Sequence, residues 1–367
     1  MGISPNRMLK DRVESKNNNF TFIRLAAAYA VLFAHSYVLS TGHVASDPVT
    51  HLILRWWGQG LGTVAVVVFF IVSGFLISAS YLHRDNIFAF FEARFLRIFP
   101  ALIVAVIFCV LVVGVWATSL STTEYLSHQG TWSFFWHNIT LLGGVSFRLP
   151  GVFMGNPFQG GVNGSLWTLP IEMYMYAMVM LVGALGVLKQ RAAFNTCVII
   201  FVAILFAMQQ KWFQIHGVSA NHAGLMMAYI AGVFYYVNRA FIPLNFGMLA
   251  FVVMMLVLLY GTVVWSLAQV FGFAYIVLFV ALHPSIRLPN LDKWGDYSYG
   301  VYIYAFPVQQ LLAMYIKPTP MEMFVYATLI TFPLAILSWK YVEKPALKLK
   351  GRIPMGRKWL DPRVRTN

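Results

Sequence analysis

The stretch Asn19-Phe20-Thr21-Phe22-Ile23-Arg24, running on to Val31-Leu32-Phe33-Ala34-His35, decides how this chain is read. It opens the first long apolar run, where an arginine and a histidine are costly unless something uses them. The two lie eleven positions apart, which at about 100° per residue is three helical turns with a small angular offset. Both therefore project from one face of one helix, roughly 16 Å apart along its axis. Ionisable groups at membrane depth usually line a cavity, so the pair marks the start of an active-site channel.

The rest of the chain supports a membrane setting. Of 367 residues, 59% are hydrophobic and 10% charged, and the mean hydropathy is +0.70; a soluble chain carries about 25% charged residues. The apolar runs are long and continuous, which excludes the short alternating segments of a β-barrel. The expected fold is an all-α polytopic membrane protein of about ten spans, at 20–41, 61–82, 97–118, 166–187, 193–210, 222–238, 245–261, 264–283, 298–316 and 322–342. Its net charge of +14 does not signal nucleic acid, because the cations cluster at the termini and in short loops. Under the ten-span reading, 21 of the 26 Lys and Arg fall on the side of the termini, four fall opposite, and Arg24 lies inside a span. The positive-inside rule then places both termini in the cytoplasm.

Three regions follow: a cytoplasmic tail over 1–19, a transmembrane domain over 20–346, and a basic cytoplasmic tail over 347–367 suited to anionic lipid headgroups. Residues 1–19 are too polar for a cleavable signal peptide. The long connection 119–165, rich in Trp, Phe, Gly and Ser, is expected to form a partly ordered cap over the outer mouth. Cys109 and Cys197, both in apolar runs, read as small buried hydrophobes. His43, His51, His216 and His222 lie near outer loops without metal-ligand spacing, and His83 and His283 at inner span ends, where snorkelling explains them. No metal site is expected. No Walker motif, Rossmann fingerprint or G-x-S-x-G elbow is present. Asn138 and Asn163 begin sequences that fit a glycosylation sequon.

Other motifs carry potential chemistry. In Gly160-Gly161-Val162-Asn163-Gly164-Ser165-Leu166-Trp167-Thr168-Leu169-Pro170-Ile171-Glu172, Asn163 and Ser165 read as a turn and an N-cap, and Pro170 is tolerated in a first turn. Glu172 is then roughly 10 Å below the outer surface and His35 roughly 9 Å, so the carboxylate is a candidate orienter of an imidazole base. Arg94 and Arg97 share a helix face at the inner mouth of the third span, as a phosphate grip or as positive-inside anchors. Ser73-Gly74 permits close helix approach, or leaves room for a ligand. Asp296-Tyr297-Ser298-Tyr299-Gly300 caps the ninth span, Pro307 breaks it, and Gln309-Gln310 brings amides that need partners.

Together these elements resemble the acyltransferase-3 family, integral-membrane O-acyltransferases of bacterial surface glycans. The resemblance rests on Arg24 and His35, on Phe69-Phe70-Ile71-Val72-Ser73-Gly74-Phe75-Leu76, on Arg94 and Arg97, on Gly164-Ser165-Leu166-Trp167-Thr168-Leu169 with Glu172, and on Tyr341-Val342-Glu343-Lys344-Pro345. It runs in order over residues 19 to about 346. It implies a fold of about ten helices around a central acyl-CoA channel in the bacterial inner membrane. Acetyl-CoA, or another acyl-CoA, would donate to a hydroxyl of a glycan or lipid-linked saccharide. In that scheme Arg94 and Arg97 hold the CoA phosphates, and the pantetheine arm passes Arg24, Ser73 and Gly74. His35 acts as base or brief acyl acceptor, oriented by Glu172, while Asn163 and Trp167 contact the sugar. Where members often carry a histidine before Phe-Pro, this chain has Ala305. The string around it looks like the subgroup acting on lipo-oligosaccharides and exopolysaccharides. The alternatives are a glycan or lipid transporter or flippase without chemistry, and a sensory or structural partner of glycan assembly.

Overall fold

A computed structural model describes residues 8–13, 18–44, 46–84, 86–215 and 218–351. Arg7, Lys16, His216 and the basic tail from Arg352 onward lie outside the described residues. Each of the ten expected segments overlaps a helix, the helix of the third segment beginning ten residues before its expected start. In chain order the α-helices of six or more residues are α1 (Phe20–Thr41), α2 (Pro48–Trp57), α3 (Leu61–Arg84), α4 (Ile87–Ile107), α5 (Thr122–Ser127) and α6 (Gln129–Thr140). Then come α7 (Leu169–Ala184), α8 (Arg191–Gln209), α9 (Ala220–Val237), α10 (Phe246–Leu259), α11 (Trp265–Leu282), α12 (Ser298–Tyr315) and α13 (Pro320–Ser338). Among the described residues, two isolated bridges are the only β pairing. Among the described residues seven helices are long and apolar enough to cross a membrane, and the chain is a polytopic helical membrane protein.

The exceptions have physical reasons. α10 is apolar but only 14 residues long. α9 and α12 are diluted by His, Asn, Gln and Tyr, which they can carry because protein surrounds them. Fifteen of the 18 residues of α12 are buried, whereas α10 buries only Val252. α12 packs on α1 and α13, and α1 on α3. α3 and α9 are pressed together at two glycines: a Cβ on Gly74 would lie 2.0 Å from the Tyr229 carbonyl oxygen, and one on Gly232 would lie 2.2 Å from that of Ile71. The entrance of α1 is pinned by Asn19, whose side-chain N–H groups donate to Val280 O (2.8 Å) and Ile286 O (2.9 Å).

Several expectations need correction. Pro307 does not break α12, which runs on to Tyr315. A proline lacks the N–H that would meet the carbonyl four residues earlier, and here Asn163 supplies the missing donor, its Nδ2 lying 2.9 Å from Ile303 O. α4 starts at Ile87, capped by Asn86, so Arg94 and Arg97 lie two to three turns inside it and not at its mouth. It continues through a π-turn, Phe108–Gly114, to Ala117; the Tyr125 hydroxyl donates to Val110 O there (2.9 Å). Cys109 is buried as expected, but Cys197 is exposed. His283 is buried instead of snorkelling, with its ring stacked on Phe279. Both sequon asparagines, Asn138 and Asn163, are fully buried. Within residues 119–165, α5 is held by the Ser121 cap, and Tyr125 and Phe134 are buried.

Candidate active site

Several of the polar residues singled out in the sequence line two hollows. The inner one, about 110 Å³, is lined by Arg24 from α1, Ser73 from α3, Arg94 and Arg97 from α4, and Glu172 and Tyr176 from α7. Apolar walls come from Phe69, Phe70, Leu76 and Ile77. The outer one, about 550 Å³, is lined by His35, Arg148, Ser165, Trp167 and Phe306. Val66 and Tyr302 line both. Tyr302 is fixed at that boundary by a hydrogen bond between its hydroxyl and that of Thr168 (2.8 Å) and by edge contact with Phe69. The channel expected from Arg24 and His35 is thus two chambers: Arg24 lines one and His35 the other.

In the inner chamber charge is matched by charge. Asp296, just before α12, pairs with Arg24 and with Arg97 (2.7 Å), and Arg97 also reaches Glu343 (2.8 Å). Glu343 is 1% exposed and accepts from the Ser338 hydroxyl (3.1 Å). The Arg97 guanidinium also lies over the rings of Tyr299 and Trp339. Burial alone would raise the Asp296 carboxyl, but the Arg24 and Arg97 guanidiniums, aided by the Ser298 hydroxyl and N–H, bring it down to about 2. With both terminal nitrogens committed to carboxylates, Arg97 is not the free phosphate grip expected of it. Asp296 and Glu343 read in sequence as a helix cap and part of a terminal motif; only the fold brings them onto Arg97.

Glu172 accepts from the Ser73 hydroxyl (3.2 Å) and from Tyr176 one turn on. It is therefore a member of the inner chamber and does not orient His35 by contact. Gly74 is a helix-packing residue: its missing side chain makes room for the Tyr229 backbone. Asn163 is buried at the start of the 3-10 turn Gly164–Thr168, occupied by Ile303 O and the Ser165 N–H, and has no face toward a ligand. Trp167 does line the outer chamber and stacks on His222.

The outer chamber is built differently. The His35 ring meets the edge of Phe306 (5.1 Å between centroids), and its Nδ1 is buried with no hydrogen-bond partner. The Ser165 hydroxyl, expected to cap a helix, is likewise buried without a partner. Buried polar atoms are nearly always satisfied, so two orphans facing one cavity call for an external partner. An imidazole nitrogen with no competing hydrogen bond is free to take a proton from a hydroxyl placed against it. Among the described residues, no group of three His, Cys, Asp or Glu is placed to hold a metal.

A family model described as an acyltransferase domain matches residues 17–340. The chain belongs to the acyltransferase-3 family. It is 29% identical over 358 residues to the O-acetyl transferase of Shigella phage Sf6, covering 90% of this chain and 96% of that one. It is 28% identical over 378 residues to Nodulation protein 10 of Rhizobium leguminosarum bv. viciae, covering 91% and 94%. No solved structure matches. Membership makes this chain an acyltransferase, and the transporter and sensory-partner readings fall away. In the acyltransferase, Arg24, His35 and the Arg94–Arg97 pair occupy the two chambers, so the motifs that carried the resemblance converge in space.

Proposed function

We propose that the protein is a membrane O-acetyltransferase that takes an acetyl group from cytoplasmic acetyl-CoA and delivers it to a hydroxyl of a cell-surface or lipid-linked glycan at the outer face of a bacterial inner membrane. The observation that carries this reading is the pair of chambers meeting at Val66 and Tyr302, with His35 unpartnered on the outer side. The name of the phage relative supports the acetyl group. The distribution of Lys and Arg supports a cytoplasmic location for both termini and for the inner chamber.

The inner chamber suits the thin end of the donor better than its phosphates. It is small, walled by Phe69, Phe70, Leu76 and Ile77, and its arginines are balanced by Asp296, Glu343 and Glu172. The pantetheine arm enters here, its thioester is brought to the Val66–Tyr302 boundary, and the nucleotide stays at the inner mouth. Arg94 lines the path of the arm. His35 takes the proton of the acceptor hydroxyl as that oxygen attacks the thioester carbonyl. The carbon–sulfur bond breaks, and the CoA thiolate leaves and is protonated. Trp167 offers an apolar ring face to a sugar in the outer chamber.

The test uses purified protein in nanodiscs with radiolabelled acetyl-CoA and surface glycan, wild type beside His35→Ala. Transfer of label by the wild type alone supports the reading. Transfer that survives in the variant removes His35 from the chemistry, and a wild type that neither binds acetyl-CoA nor labels glycan removes the donor.

A further inference from the structure

The outer face carries a second hollow beside the one that holds His35. It encloses about 670 Å³, and its polar lining includes Ser40, Ser119, Asn156, Gln159 and Lys317. Gln159 lines both hollows, so they adjoin at this residue, whose side-chain amide has no hydrogen-bond partner among the described residues. Ser40 lies five residues beyond His35 on α1, roughly 7.5 Å along the helix axis. The second hollow therefore begins within reach of a chain whose neighbouring unit sits at His35. Its volume falls in the range of sites that hold small molecules, about 300–1,000 Å³.

Its chemistry is that of a sugar site. The lining supplies hydroxyls, amides and one ammonium, and no carboxylate. Lys317 forms no ion pair among the described residues. Its shape is held at a conformational cost, since Lys317 (φ 51°) and Phe153 (φ 56°) both line it with left-handed backbones. That region is rarely used by residues other than glycine and persists where the surrounding structure enforces it, often at ligand clamps.

We infer that this hollow is a second saccharide subsite, which takes the sugar next to the one being acylated and draws an anionic substituent toward Lys317. The inference rests on the proposed acceptor chemistry, and it narrows the acceptor to an oligosaccharide chain in place of a lone sugar. The test measures KM and kcat for acetyl transfer to fragments graded from one sugar upward, prepared by partial hydrolysis of the surface polysaccharide of the expressing cells. Wild type is compared with Lys317→Asn, which keeps a residue tolerant of the left-handed backbone, and Ser119→Trp, which fills the hollow.

The expected result is a KM about ten-fold lower for longer fragments than for single sugars in the wild type, a preference that each variant removes. KM for single sugars, KM for acetyl-CoA and kcat stay unchanged. Variants that keep the length preference, or that weaken single sugars and long fragments alike, overturn the subsite. A wild type that transfers to no fragment while still binding acetyl-CoA overturns the proposed acceptor, and the subsite with it.

Discussion

The inner and outer chambers share a wall but follow opposite rules. In the inner one Arg24 and Arg97 are answered by Asp296 and Glu343, and Glu172 by Ser73 and Tyr176. In the outer one the His35 nitrogen and the Ser165 hydroxyl are buried with nothing to bond. Ion pairs away from water must be answered, since an unmatched charge there costs several kcal/mol. The pairs among Arg24, Arg97, Asp296 and Glu343 thus brace the inner chamber without any ligand. In the proposed reaction the unmatched chamber is where a reactant completes the structure. Density of charge and readiness for chemistry are different properties, and in the proposed reaction they occupy different chambers.

Substitutions on either side of the wall can break this contrast. The largest effect is expected at His35: His35→Ala lowers acetyl transfer by about 10²–10⁴-fold, the range for a lost general base, with the unfolding midpoint unchanged. A large fall in that midpoint would make His35 a structural group like those of the inner chamber. Asp296→Asn should act the other way, removing the shared partner of two arginines and destabilising the protein by about 3–5 kcal/mol, read by thermal unfolding in detergent. Its pH signature has a defined sign. The folded value of about 2 lies below the ordinary 3.8. Asp296 therefore adds stability above pH 4, on the order of 2 kcal/mol, which is lost as pH falls through about 2. The variant should lack that acid-side loss.

Smaller effects test the packing that holds the wall. Gly74→Ala places a methyl 2.0 Å from the Tyr229 carbonyl oxygen and should cost about 1–3 kcal/mol as α3 and α9 are forced apart. An equally stable variant would show that the two helices can separate. The most discriminating change is Asn163→Ala, expected to cost about 1–3 kcal/mol by stranding the Ile303 carbonyl. The acceptor KM should not move, because Asn163 faces no cavity. Pro307→Ala restores a backbone N–H to that carbonyl, so in the double variant the Asn163→Ala loss should shrink markedly. Simple additivity would mean that the amide serves some other purpose.

The helices themselves were legible from the sequence, because continuous apolar runs that must satisfy their own backbone have few alternatives. Even α9 and α12 were placed correctly, although they carry enough polar side chains to fall outside the seven plainly membrane-crossing helices. The need of Gln309 and Gln310 for partners was also legible, and the structure answers it for their N–H groups with Leu32 O, Ser36, Phe158 O and Gly161 O, while Gln309 Oε1 is buried without a partner. What stayed hidden were pairings across the fold. Asp296 and Glu343 lie 199 and 246 positions from Arg97, and nothing in local spacing joins them. Helical depth put Glu172 and His35 at similar levels but carried no lateral information, so it could not tell that the carboxylate opens into the other chamber. Asn163 looked like a sugar contact because its partner is the deficit left by Pro307, 144 positions away. Ser165 looked like a cap, and its unpartnered hydroxyl is a property of the folded cavity alone.

The hydrogen bond between Tyr302 and Thr168 has a consequence beyond the reaction. A catalyst that draws one substrate from each side of an energised membrane risks becoming a leak. Each elementary charge crossing 100 mV dissipates about 2.3 kcal/mol. Tyr302 and Val66 are the residues that both chambers touch, and the Thr168 hydroxyl holds the tyrosine across the gap. In the proposed reaction this one aromatic ring, with Val66, separates the two chambers while leaving them close enough to exchange an acetyl group.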